Sequence, residues 1–519
     1  MGPWKTLVFN QFHDILPGSA IHESNRDSVA RYAVAREAAD DVAAAALRAI
    51  AVRVAWADPA RVPVVVFNPL AWERDDVVEA ELVVTDPFSG VVVRDAEGRA
   101  VPAQIVRTKQ FDADIHAWVR FVARDVPPVG YRVFSAEFLR EGRPVPVLHW
   151  SSPYGRLNLP AVKNADRTGL RCEGTTVSNR FFELRFDART GALRSLRIKR
   201  GERLGAEWVG PRGANRLGLY VEHPRRADGW KLDPSPRGPL APDVVAPAAV
   251  VEDGAESVTW MTAFAWRSSA FRLLTTVHAD SPRIDVRLEA DWLERGSSVD
   301  GHPMLRALIE LAAAPRRMFC DVPFGIVARA PGREVPAQRW VDLPARGGGL
   351  AVLNDSKYGH SLHGATLRLG LLRAFVHPDE LPDVGRHVVR WALRPHVGTW
   401  LAAGIPREGF GFNVPLCAVQ ARVQEGDPAP SRSFLRVGGD PWFVVTGIKR
   451  AEDGDGWIVR GYDASGRGAE VAIEADRPIE RAAGVDLLEE PCGRHAVRCE
   501  GGRVTARVGP WGILSVRWA

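Results

Sequence analysis

The sequence predicts a mainly β protein: a short helical head followed by stacked antiparallel β-sandwich domains. Three observations carry this. Only one long segment, Ser24 to Ala51, has the composition and spacing of a helix. Beyond residue 60, short runs rich in Val, Leu, Phe and Arg alternate with Gly, Pro and Asp turn signals, the pattern of period-2 strands. The chain has 519 residues, which at roughly 100–200 residues per domain gives three or four domains.

Taken in order, the stretch from Trp4 to Phe12 reads as a first helix, broken at Pro17-Gly18. The helix from Ser24 is rich in alanine, the best helix former. Tyr32, Ala35, Ala39, Val42, Ala46, Ala49 and Ile50 recur at helical spacing. The runs VPVVVFNP, DVVEAELVV, GVVVRDAEGR and HAWVRFVARDVPPVGYRVF follow as strands of a small sandwich. A Pro-rich connector is expected from Arg143 to Pro160. Strands resume at FFELRFDARTGALRSLRI, where Thr190-Gly191 supplies a hairpin turn. A last set runs from SFLRV near Ser433 to GILSVRW. The expected domains are residues 1–58, helical; 59–150, a small sandwich; 165–400, a large sandwich; and 401–519, a carboxy-terminal sandwich.

Composition narrows the class. The hydrophobic fraction is 46% and the charged fraction 25%, ordinary for a globular protein. No run approaches the ~20 apolar residues of a membrane span, and no membrane partner is expected. The net charge of +5 comes from 68 basic and 63 acidic residues, interspersed along the chain. That reads as a solvated surface, not a nucleic-acid footprint. Five scattered cysteines, Cys172, Cys320, Cys417, Cys492 and Cys499, form no C-x-x-C pair. Neither a disulfide framework nor a zinc knuckle is indicated, and a reducing cytoplasm is the expected setting.

Candidate chemistry begins in NQFHDILPGSAI, where His13 and Asp14 stand among Phe9, Phe12, Ile15 and Leu16. A neutral imidazole is a good zinc ligand and a neighbouring carboxylate can hold a hydroxyl. The alternative is a histidine packed at a helix end with Asp14 as a cap. Two H-x-D triplets, His278-Ala279-Asp280 and His377-Pro378-Asp379, end in proline-flanked turns and read as turn carboxylates. His360 and His363 are expected to face solvent. Asn354, Asp355 and Lys357 form a polar cluster that reads equally as a substrate contact or as a self-stabilised turn. Most of the 17 tryptophans fall in alternating strands and are expected in the core. No H-E-x-x-H, G-x-S-x-G or phosphate-loop motif is present.

NQFHDILPGSAI closely resembles the motif that ends the catalytic region of glycoside hydrolase family 38, the α-mannosidases. Phe67-Asn68-Pro69-Leu70-Ala71-Trp72, Ser178-Asn179-Arg180-Phe181-Phe182 and Gly213-Ala214-Asn215-Arg216-Leu217 are similar to later family segments. Asp321 to Gly325, Val335 to Trp340, Leu353 to Gly359 and Trp457 to Arg460 follow in the family's order. The resemblance implies that residues 1–58 are the end of the family's middle three-helix bundle and that the large sandwich is of galactose-mutarotase-like type.

It also implies retaining hydrolysis of terminal α-mannosides at one divalent metal, usually zinc, with a carboxylate nucleophile and a carboxyl acid/base. His13 matches one metal ligand, and Asp14 matches a residue beside the sugar hydroxyls. Asp355 and Lys357 are the expected substrate contacts from the large sandwich. The early His-x-Asp motif, the nucleophile and the acid belong to an α/β domain expected before Trp4, so no catalytic carboxylate is assigned here and the metal site is expected to be incomplete. The expected partners are an α-mannoside glycan and either a homo-oligomeric copy or a separate amino-terminal catalytic subunit. A non-catalytic carbohydrate-binding or scaffold protein is the alternative. A hydrolase using His13 and Asp14 alone conflicts with zinc's need for three or four protein ligands.

Overall fold

The structure, a computed structural model, describes residues 2–149, 169–223, 229–233 and 236–519. The expected connector from Arg143 to Pro160 lies outside the described residues from 150 onward. Helix α1 spans Pro3–Phe9, with Pro3 where a missing N–H costs no intrahelical bond. Helix α2 spans His22–Ala51, with Glu23 in its first turn and Arg48 in its last, both matched to the helix dipole. Its 30 residues reach about 45 Å at 1.5 Å per residue.

The face α2 buries takes in only part of the helically spaced set. Val42, Ala46 and Ala49 are exposed, whereas Ala35, Ala38, Leu47, Ile50 and Ala51 turn inward. An alanine-rich helix offers no strong stripe, and the site of docking selects the face. The carboxy-terminal end rests on the first small sandwich, where Ala51 and Val54 join Val65, Phe67 and Tyr131 in one buried cluster.

That sandwich has two sheets. One carries Val62–Asn68, Gly130–Leu139 and Gly90–Arg94, and the other Arg74–Val84, Asp114–Val126 and Ala103–Phe111. Their inner faces meet over Val64, Val119, Phe121 and Phe134. The strand of Leu148–His149 runs parallel to Ala103–Phe111; the other ladders among the described residues are antiparallel. The large sandwich opposes a nine-stranded and a six-stranded sheet, with a five-stranded sheet of residues 171–207 beside them. Trp292 and Trp391 are fully buried in its core, as expected of strand tryptophans. The hairpin at Thr190-Gly191 joins Phe182–Phe186 to Leu193–Arg200, with Gly191 at φ +66°.

Residues 401–433 tie the domains together. Helix α3, Ile405–Asn413, packs on the large sandwich so closely that a Cβ on Gly409 would stand 2.5 Å from Trp340. The strand Cys417–Gln420 then returns to pair with Val62–Asn68, and Ser431–Ser433 adds to Gly130–Leu139. The two four-stranded sheets of the last sandwich begin at Leu435 and pack over Tyr462, Ile473, Val504 and Val516.

Candidate functional site

The head is pinned from below and open above. Asn10 is fully buried and its Nδ2 donates to the Ser28 carbonyl at 3.1 Å, while the Tyr32 hydroxyl donates to the Asn10 carbonyl at 3.0 Å. Residues 12–19 then coil in tight turns. Leu16 N–H donates to the Phe12 carbonyl, Gly18 sits at φ +73°, and Ser19 N–H closes back on the Asp14 carbonyl at 3.0 Å. These bonds project His13 and Asp14 outward. The His13 side chain is 80% exposed and that of Asp14 39%, with Nε2 and Oδ2 3.8 Å apart. The helix-end reading of a packed histidine with a capping aspartate fails, because neither group is buried nor caps α2, which has no side-chain cap.

One exposed imidazole beside one carboxylate is not a zinc site, which takes three or four protein ligands. Among the described residues no group of three or more His, Cys, Asp or Glu side chains could hold a metal ion. The described residues do not by themselves fit the metal that the motif implies.

The H-x-D triplets are structural. Asp379 accepts from Leu381 N–H at 2.8 Å, which is a turn bond, and also from Nδ2 of Asn25 and the ring of His22, each at 3.1 Å. It thereby clamps the first turn of α2 to the large sandwich, a contact no local pattern announced. Asp280 pairs with Arg124 and Arg180 at the junction with the small sandwich. His278 lies in a buried ionic cluster between Glu256 at 2.7 Å and Asp285 at 3.2 Å. His360 corrects an expectation: it is fully buried, not solvent-facing. Its Nδ1 lies 3.0 Å from the Tyr358 carbonyl and burial holds its pKa down at about 4, so it is neutral. A strand histidine on a two-sided sheet has no sequence mark telling the buried face from the wet one.

Asp355 and Lys357 sit where a strand of the nine-stranded sheet crosses to the six-stranded one. The turn is built by Asn354, fully buried, whose Nδ2 donates to the Gln338 carbonyl at 2.6 Å and whose Oδ1 accepts from Lys357 N–H at 2.9 Å. Asn413 of α3 donates to the Asn354 carbonyl at 3.0 Å, so the helix braces the turn from outside. Asp355 is one-third exposed and receives two bonds from Arg390, at 2.6 and 3.0 Å. No hydrogen bond or ion pair among the described residues joins this cluster to His13 and Asp14. Replacing Asn354 by Ala leaves two part-buried backbone groups without their partner and should lower stability by about 1–2 kcal/mol. Urea denaturation checks it.

The comparisons agree with this layout. "Alpha mannosidase middle domain" matches residues 2–50, "Glycosyl hydrolases family 38 C-terminal domain" residues 177–381, and "Glycosyl hydrolases family 38 C-terminal beta sandwich domain" residues 443–516. Alpha-mannosidase 2C1 of Homo sapiens is 26% identical over 99% of this chain, and alpha-mannosidase G of Dictyostelium discoideum is 28% identical over 37% of it. The chain spans 45% of the length of the human relative. In fold it is similar to an alpha-mannosidase from Enterococcus faecalis V583, with a TM-score of 0.77 at 15% identity, covering 99% of this chain and 63% of that one. A protein in the glycosyl hydrolase family 38 from the same species gives 0.78 at 15% identity, over 99% and 65%. With three family segments matched in order across helical head, large sandwich and last sandwich, the chain belongs to glycosyl hydrolase family 38 and carries its α-mannosidase middle domain and carboxy-terminal β domains.

Proposed function

We propose that this chain supplies one wall of a metal-dependent, retaining α-mannosidase site acting on terminal α-mannosides of glycans. The observation that carries the reading is the outward projection of His13 and Asp14 from a turn anchored beneath by the buried Asn10 and by Tyr32. In it, His13 is one ligand of a divalent metal, most simply zinc, whose other ligands come from outside the described residues. Asp14 and Asp355 accept hydrogen bonds from sugar hydroxyls, and Lys357 donates to the glycan. Arg390 holds the Asp355 carboxylate in place. The catalytic carboxylates come from a separate amino-terminal catalytic region.

The purified chain should show no zinc-dependent release of nitrophenol from an aryl α-mannoside. Turnover should appear on reconstitution with an amino-terminal family 38 catalytic domain, and it should fall by two or more orders of magnitude in His13→Ala. Robust turnover by the chain alone would sink this reading.

The same head exposes Trp4, Val8, Phe9, Phe12, Leu16 and Ile21, each more than half accessible. An apolar patch of this kind marks an interface, and we assign it to the catalytic region. Alone, the chain should self-associate in a concentration-dependent way by sedimentation. A Phe9→Glu, Phe12→Glu double variant should be monomeric.

A further inference from the structure

The outer face of the six-stranded sheet is unusually basic for a site no part of the proposed hydrolysis uses. Leu217, Leu219, Leu305, Ala307, Ile309, Leu367 and Leu369 point into the core. Side chains alternate along a strand, so Arg216, Tyr220, Arg306, Leu308 and Arg368 point the other way. The register places Arg216 opposite Leu308 and Leu308 opposite Arg368. The two arginines therefore stand in one cross-strand row, about 10 Å apart at the backbone. Leu308 stands between them, leaning over Gly218, and the next row on that face reads Gly218, Arg306, Gly370, so it adds only one arginine side chain.

The Arg368 and Arg306 guanidinium groups converge over one ring. Cζ of Arg368 is 5.1 Å and Cζ of Arg306 5.5 Å from the centre of Tyr220, which is itself buried with Met304 and Leu308. The three carboxylates of the face are already engaged: Glu222 by Arg373 at 2.7 Å, Glu310 by Arg212 at 3.1 Å, and Glu334 by Arg306 at 2.5 Å. Arg306 also reaches the Ser361 hydroxyl at 3.3 Å. Among the described residues Arg216 donates only to the Gly213 carbonyl, at 3.2 Å. Arg368 makes no hydrogen bond or ion pair among the described residues, and its Nε is buried without a partner. Five arginines (Arg212, Arg216, Arg306, Arg368 and Arg373) thus face three carboxylates. Burial and the neighbouring guanidinium groups pull the pKa values of both Arg216 and Arg368 down.

We propose that Arg216 and Arg368, flanking Leu308 beside the Tyr220 floor, form an anion site for a tetrahedral oxyanion, a phosphate or sulfate group free or carried as a sugar ester. The planar guanidinium fork binds such groups through paired charge-assisted hydrogen bonds, which a point charge cannot supply. Packing of arginine stems over the buried Tyr220 cluster is the purely structural alternative. It is separable, because methionine keeps the stem and removes the fork.

Isothermal titration of the full chain with inorganic phosphate, sulfate and a hexose 6-phosphate, at fixed ionic strength in chloride, tests it. Saturable binding is expected, weakened at least tenfold in the Arg216→Met, Arg368→Met double variant with the urea midpoint little changed. Tighter binding of the hexose phosphate would identify an ester, and equal binding a free anion. Should the double variant fail to fold, phenylglyoxal modification of the unaltered chain gives a second readout. Phosphate should protect Arg216 and Arg368. No saturable binding, equal affinity in the double variant, or no protection overturns the site.

Discussion

Asp285→Asn should destabilise the chain by about 3 kcal/mol, at the low end for breaking a buried ion pair, since a quarter of Asp285 is exposed. Asp285 accepts from Nε of Arg283 at 2.6 Å and lies 3.2 Å from Nε2 of His278, so one carboxylate answers two cations. Arg283 continues to Asp76 of the small sandwich at 3.3 Å, and Arg120 of that sandwich donates to Glu252 at 3.0 Å and to the Ser257 hydroxyl at 3.1 Å. The cluster therefore joins two domains as well as holding one. Burial opposes a charged His278, but Glu256 and Asp285 outweigh it and push its pKa up to about 9.

The pH dependence follows from that direction. A raised histidine pKa adds stability that is complete below its unfolded value of about 6.5 and is lost as pH rises toward 9. Asp285 itself is held below the usual carboxylate range, because its two cations outweigh burial, and its share is lost in acid. Thermal midpoints should fall between pH 7 and pH 9.5 in the unaltered chain. The alkaline fall should start lower in Asp285→Asn, with the His278 ring titration followed by NMR. A flat alkaline limb together with an unshifted His278 would contradict the assignment.

Trp391→Ala should lower stability by about 3–5 kcal/mol, the range for removing a large buried aromatic side chain. Trp391 is fully buried, and its indole donates to Oδ1 of Asn215 at 3.1 Å. Asn215 in turn donates to the Thr275 hydroxyl at 3.1 Å and holds a left-handed φ of +58°. The effect should reach the proposed substrate wall, because Trp391 is the cross-strand partner of Asn354, and Asp355 N–H bonds the Arg390 carbonyl. Trp391→Phe fills most of the space but leaves Oδ1 of Asn215 without its donor, so it should cost roughly 1–3 kcal/mol. Urea unfolding separates the two variants, and hydrogen exchange at residues 354–357 reports whether the turn loosens.

The sequence by itself determined the helix of α2 to within two residues of its start, the hairpin at Thr190-Gly191, the predominantly antiparallel character and the family motif around His13. These are local matters of periodicity, turn chemistry and short-range order, and each is written in neighbouring residues. Only the tertiary structure decided which α2 face is buried, that His360 is sealed and neutral, and that Cys417–Gln420 returns to Val62–Asn68 across 350 positions of chain. It also brought Asp379 to His22, and Arg216 and Arg368 into one row. Period-2 alternation says which residues share a face but not which strand lies beside which, so cross-strand clusters of charge are invisible until register is fixed.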